Sequence, residues 1–137
     1  MPNVNDYLDK ARRGDVSAQK QLAMHLIRSQ NTVNDGVEWL KKAAENDADA
    51  MYLLGKLYLK KLNDAKQAFT WYEKAAQRDH VDAMIDTATF YLFGYQTEQN
   101  TGKAIEWYKR ATRFDSPVAY IILDSSVIRT ANYTALR

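Results

Sequence analysis

Three tryptophans constrain this chain more than any other feature. They stand at positions 39, 71 and 107, so the intervals between them are 32 and 36 residues. Each has the same surroundings: a small residue three positions earlier (Gly36, Ala68, Ala104) and an alanine four positions later (Ala43, Ala75, Ala111). Self-similarity at that period marks an array of stacked supersecondary units. Small residues along one helical line let a neighbouring helix approach closely, and a Trp beside them is placed to fill the space between adjacent pairs. On this reading Trp71→Ala is expected to cost about 3–5 kcal/mol.

A second set of signals marks where the helices begin. Alanines recur at 18, 50, 83 and 119, and four positions before each stands Gly14, Asn46, Asp79 or Asp115, residue types that tolerate the left-handed conformation that ends a helix. The next residue is Asp15, Asp47, His80 or Ser116. Asp and Ser there accept the free backbone N–H groups of a new helix, and Pro117 after Ser116 suits a first helical position. First helices are therefore expected near 16–28, 48–60, 81–93 and 117–127. Second helices start near Thr32, Asp64 and Asn100, each a plausible cap, and end near Asn46, Arg78 and Phe114. Ahead of them Val4, Leu8 and Ala11, with Tyr7 in the place that Trp holds later, read as a half repeat.

The expected fold is thus all-α: a right-handed α/α superhelical solenoid of about eight helices in one domain over residues 1–137. Its parts are a half repeat at about 3–13, repeats at about 16–46, 48–78 and 81–114, a trailing half repeat at about 117–127 and a tail at 128–137. A hydrophobic content of 46% and a charged content of 26% are ordinary for a soluble globular protein and suggest neither disorder nor a fibrous class. The formal charge of +2 is spread over alternating acids and bases with no basic block, which argues against nucleic acid. Without cysteine the chain has no disulfide, thiolate metal site or thiol nucleophile. The start of the chain carries no apolar leader and the longest apolar run, Val118 to Leu123, is too short to span a bilayer, so a cytoplasmic protein without membrane insertion is expected.

The pattern A-x-x-x-L-G-x-x-Y, a short loop, then A-x-x-W-Y-x-K-A-A resembles the Sel1-like repeat, a relative of the tetratricopeptide repeat. Ala50, Leu54, Gly55, Tyr58, Ala68, Trp71, Tyr72, Lys74, Ala75 and Ala76 occupy the family positions. Elsewhere the match is looser: Ala23 and Ala88 replace the Gly, Leu26 the Tyr and Thr87 the Leu. The connection at 94–99 is longer than its equivalents and brings in Tyr95. The resemblance implies scaffolding, signalling or host-interaction roles. It also implies that the first helices line a concave face, formed by Lys20, Met24 and Arg28, then Tyr52, Lys56, Leu59 and Lys60, then Ile85, Thr89 and Phe93, followed by Ile121 and Ser125. Apolar anchors mixed with basic groups suit a peptide or helix that carries carboxylates.

No set of residues carries catalysis. Neither His25 nor His80 has metal-ligand spacing, and His80 fits a helix-cap slot. Asp47 with Asp49, and Asp79 with Asp82, stand at helix N-termini, where the helix dipole favours negative charge. The five glycines form no phosphate-binding motif, so no cofactor is expected. The repeated Trp residues read as shared core, whereas Tyr52 and Tyr95 fall outside that pattern and are expected to be exposed. The leading expectation is a non-enzymatic adapter for a protein or peptide partner, itself a monomer or weak homodimer. An immunity-type inhibitor of a toxin is an alternative within the same class. The rival from another class is a small-ligand-binding protein or hydrolase built from Lys20, Lys56, Lys60 and Ser125, which would need a cause for a depressed lysine pKa.

Overall fold

The computed structural model describes residues 3–126 and 128–130. Among the described residues eight α-helices follow one another, α1 (Val4–Arg12), α2 (Val16–Leu26), α3 (Val33–Ala44), α4 (Ala48–Lys60), α5 (Ala65–Gln77), α6 (Val81–Phe93), α7 (Thr101–Thr112) and α8 (Pro117–Leu123), and residues 126 and 128–130 are helical again. No strand occurs among the described residues. Each helix packs mainly on the one before it and the one after it, which is the connectivity of an α/α solenoid.

The capping chemistry explains where the helices start. Asp15, Asp47 and Ser116 accept the backbone N–H of Ala18, Ala50 and Ala119, and the His80 ring accepts that of Ala83 through Nδ1. Asp64 and Asn100 cap α5 and α7 in the same way. Thr32 departs from this expectation. Its hydroxyl donates to the Leu26 carbonyl and so closes the preceding loop, leaving α3 without a side-chain cap. Gly14, Asp79 and Asp115 take positive φ values of 93°, 67° and 58°. Asn46 does not, because the chain leaves α3 through a tight turn in which its N–H donates to the Ala43 carbonyl.

The core corrects the reading of the tryptophans. Trp39, Trp71 and Trp107 are all half-buried, and each presents a ring face to a cation three residues on: Lys42, Lys74 and Arg110 at 4.6, 4.4 and 5.3 Å from the ring centroids. The residue after each Trp is the one sealed inside; Leu40, Tyr72 and Tyr108 are 0%, 2% and 1% exposed. Trp39 and Trp107 each pack at the edge of two clusters of the core, while Tyr72 and Tyr108 face the first helix of their own pair, at Gly55 and Thr89.

The close approach within a pair rests on a missing Cβ that changes sides. In α4 and α5 a Cβ on Gly55 would lie 2.7 Å from the Tyr72 ring and 3.3 Å from the Ala68 carbonyl oxygen. In α2 and α3 the glycine is on the other helix, where a Cβ on Gly36 would lie 2.6 Å from Ile27 and 3.2 Å from the Ala23 carbonyl oxygen. Ala23 in place of the family's Gly is therefore matched by Gly36 opposite.

Thr87, which stands where the repeat has Leu, is fully buried, and its hydroxyl is the one buried side-chain polar atom without a hydrogen bond among the described residues. An unpaired buried hydroxyl carries its full desolvation cost. Thr87→Val is expected to stabilise the fold by about 1–2 kcal/mol; a loss of stability in urea denaturation would show that the hydroxyl has a partner.

At the C-terminal end α8 stops at Leu123, short of the expected 127, in a turn where the Ser125 hydroxyl donates to the Ile122 carbonyl. Val127 and residues 131–137 of the expected tail lie outside the described residues. Ile128, placed in that tail by the sequence reading, is 4% exposed and joins the cluster of Leu92 and Tyr108.

Candidate functional site

The first helices of the second and third repeats, α4 and α6, meet through polar side chains, and a groove runs along that line. The Tyr52 hydroxyl donates to Asp86 Oδ2 at 2.9 Å, and its ring stacks on His80 with centroids 4.5 Å apart. The Lys56 ammonium lies 5.6 Å from the Tyr52 ring centroid. Tyr72 and Phe90, buried and in edge contact at 5.8 Å, support the floor. Around them is a cavity of about 330 Å³ whose lining includes Tyr52, Lys56, Lys60 and Asp86. It shares Leu59, Thr89 and Phe90 with a second cavity of about 440 Å³, completed by Phe93, Gly94 and Tyr95.

Burial pushes the Asp86 carboxyl above the usual Asp range. The Tyr52 hydrogen bond, the charge of Lys56 and, when its ring is protonated, that of His80 oppose the shift, whereas the charge of Asp82 adds to it. Burial likewise raises the Tyr52 and Tyr72 hydroxyls, helped by the negative Asp86. Thr89 donates to the Ile85 carbonyl at 2.9 Å, so its one proton is committed and the Tyr108 hydroxyl, 2.7 Å away, donates to it. The wall of the groove is thereby fixed to α7.

The Asp86 shift fixes a pH dependence. A carboxyl whose folded pKa is raised contributes stability that is full below its unfolded value, about 3.9, and is lost as pH climbs through the folded value. Asp86→Asn keeps an acceptor for Tyr52 but does not ionise. The stability of the variant relative to the unsubstituted chain should rise with pH just above the ordinary Asp range and then level off. Denaturation across a pH series checks this, together with an NMR titration of the side-chain carboxyl; a constant difference would contradict it.

Of the residues carried over as a concave face, the structure brings Tyr52, Lys56, Leu59, Lys60, Thr89 and Phe93 to one groove. Lys20 is engaged elsewhere, with Asp47 at 3.1 Å and Asp49 at 3.4 Å. Burial works to lower its pKa, but the hydrogen bonds and charges of those two carboxylates raise it overall, the opposite of what an amine nucleophile needs. Met24 and Arg28 are exposed outside the groove, and Ile85 is half-buried against the core. Ile121 is 70% exposed on α8. Tyr52, expected to be exposed, is half-buried by its bond to Asp86, whereas Tyr95 is 48% exposed as expected.

The sequence reading missed Asp86, Tyr72 and Phe90. Asp86 did carry a signal: counted from the recurrent alanines it aligns with Gln21, Leu53 and Ile122, so it is the one charged residue at that position. A further cleft of about 330 Å³ beside α7 holds Glu73, Tyr91 and Trp107, but its cations already lie on its rings, Lys103 over Tyr91 and Arg110 over Trp107. There the Tyr91 hydroxyl donates to Glu73 and is pushed up to about 12, by burial first and then by that carboxylate. No group of three His, Asp or Glu side chains among the described residues is arranged to hold a metal. No described helix is long and apolar enough to cross a membrane.

The Sel1 repeat matches residues 16–47, 48–80 and 81–113 in succession, well over half of the chain. The chain belongs to the Sel1 repeat family. Among solved structures, this Sel1 chain is similar to a Sel1 repeat protein from Oxalobacter formigenes, with 27% identity and a TM-score of 0.71 over 79% of this chain and 47% of that one. It also resembles a protective antigen present in uropathogenic Escherichia coli strains that displays an SLR fold, at 24% identity and a TM-score of 0.73 over 88% of this chain and 27% of that one. The cysteine-rich protein B of Helicobacter pylori matches at 21% identity with a TM-score of 0.64, over 86% of this chain and 95% of that one. The last two likenesses concern the fold alone. The Sel1 chain spans about half of the Oxalobacter protein and about a quarter of the Escherichia coli antigen. A search of curated proteins found no match. Sel1 repeat proteins generally serve as protein-interaction scaffolds.

Proposed function

We propose that this chain is a non-enzymatic adapter that holds a peptide or helix of a partner protein in the groove between α4 and α6, acting in the cytoplasm as a monomer or weak homodimer. One observation carries the reading: a preformed apolar trough, lined by Leu59, Phe90 and Phe93 and edged by Lys56 and Lys60, stands on helices whose positions are fixed by repeat packing. Rigid repeats presenting a few anchors and charges suit recognition, because little conformational entropy is lost on binding. The hydrolase alternative is not assembled in the groove: Lys56 and Lys60 share it, but Lys20 is ion-paired elsewhere and Ser125, also outside it, gives its proton to a backbone carbonyl.

A photo-crosslinking side chain at position 60 tests the proposal in cells of the source organism, with position 106 outside the groove as control. Position 60 is expected to capture a discrete partner that position 106 does not, and the double substitution Tyr52→Ala/Lys56→Ala should abolish the capture. Identical products at both positions would refute the groove as the binding face.

A further inference from the structure

We infer that the segment bound by this chain is acidic around one large apolar anchor, with the anchor seated between Leu59, Phe90, Phe93 and Tyr95 and a flanking carboxylate against Lys60. This rests on the adapter reading and names the partner's chemistry. The anchor cavity, about 440 Å³, has no charged residue in its lining. That volume lies toward the small end of the range of about 300–1,000 Å³ in which pockets enclose organic groups, so it suits a single large side chain.

Its outer wall is built rather than loose. Gly94, in the left-handed conformation at φ 66°, turns the chain out of α6. The Tyr95 N–H then donates to the Phe90 carbonyl at 2.9 Å and the Asn100 N–H to the Tyr91 carbonyl at 2.8 Å, while Gln99 Nε2 donates to the Leu92 carbonyl at 2.9 Å. The Tyr95 ring lies 5.0 Å from that of Phe90, and Phe93 stands at the rim, 65% exposed. A connection longer than its equivalents is thus lashed into an aromatic wall.

Charge selects the flanks. Asp86 is already engaged by the Tyr52 hydroxyl and faced by Lys56, so the two opposite charges on that side offset each other. Asp82, whose charge also reaches Tyr52 and Asp86, stands in the first turn of α6, whereas Lys60 stands in the last turn of α4, has no side-chain ion pair or hydrogen bond among the described residues and lines the adjoining cavity, so the positive charge beside the apolar seat has no counter-ion at that end. A carboxylate next to the anchor meets that charge; a basic flank is repelled.

Three short fluorescein-labelled peptides test this by anisotropy against the whole chain: a Trp flanked by glutamates, an Ala flanked by glutamates, and a Trp flanked by lysines. The first is expected to bind roughly tenfold more tightly than either of the others, with an advantage over the lysine peptide that shrinks at high salt. Lys60→Glu should reverse the order of the acidic and basic peptides. Tyr95→Ala, an exposed position whose loss leaves the helices intact, should erase the preference for Trp over Ala while keeping the preference for acid. Equal affinity for the acidic and basic peptides, an unchanged order in Lys60→Glu, or no saturable binding of any peptide overturns the inference. If position 60 still captures its partner in cells in that event, the adapter reading stands and only the assigned chemistry falls; if capture fails as well, both fall.

Discussion

Tyr72→Ala should destabilise the fold by about 3–5 kcal/mol, whereas Trp71→Ala, beside it in sequence and larger, should cost only about 1–2 kcal/mol. The Tyr72 ring is 2% exposed and packs with Ala68 and Phe90, touching Tyr52 at a centroid distance of 5.4 Å. Removing it leaves a hole where two pairs meet, and a cavity adds to the lost transfer energy. The Trp71 side chain keeps part of its surface in water, with the Lys74 ammonium on its face. Its loss exposes little that was dry. Tyr72→Phe, which keeps the ring, should be close to neutral, so urea denaturation of the three variants separates ring burial from the hydroxyl. A Trp71→Ala cost equal to that of Tyr72→Ala would contradict the assignment of the inner position.

Gly55→Ala is the second large effect, and its sign runs against helix propensity. Alanine in the interior of a helix is ordinarily favoured over glycine by about 1 kcal/mol. At position 55 the new methyl would lie 2.7 Å from two carbons of Tyr72, a ring held by Phe90 and Tyr52, so it cannot be accommodated without moving the core. A net loss of about 1–3 kcal/mol is expected from overpacking. Gly102→Ala is the matched control: its methyl would meet only the Asn100 side-chain oxygen, at 3.4 Å, and the substitution should be neutral or slightly stabilising. Thermal denaturation of both decides the matter, since equal gains would mean that α4 and α5 do not touch at this point.

The helices were legible because their signals are local. Asp15, Asp47 and Ser116 cap through their own side chains, and the small residues before and after each Trp mark a line of helix contact, so order and pairing follow from spacing alone. What spacing does not convey is depth. Trp and the residue after it are adjacent on the helix, and which of the two turns inward is settled by the pitch between partners, a tertiary quantity. The groove was half legible for a related reason. Tyr52, Lys56 and Lys60 share one face of α4 at helical spacing, but Asp86 comes to Tyr52 from 34 residues away and draws it down into the surface. Lys20 sits at the repeat position equivalent to Tyr52 and was lost to the site because Asp47 and Asp49, the same acids that suit the start of α4, also claim its ammonium.

His80 gives the array a property that no single repeat contains. Its Nδ1 accepts the Ala83 N–H, which leaves Nε2 to carry the proton of the neutral ring and donate it to Asp49 at 3.3 Å, while the ring lies on Tyr52. The side chain that starts α6 is therefore oriented by two residues of the preceding repeat. In a one-dimensional chain of units, energy of this kind belongs to the junction and not to the unit. When the second repeat opens, the third loses the orientation of its cap as well as its neighbour, so partly opened states are disfavoured and the two repeats are expected to melt in a single step.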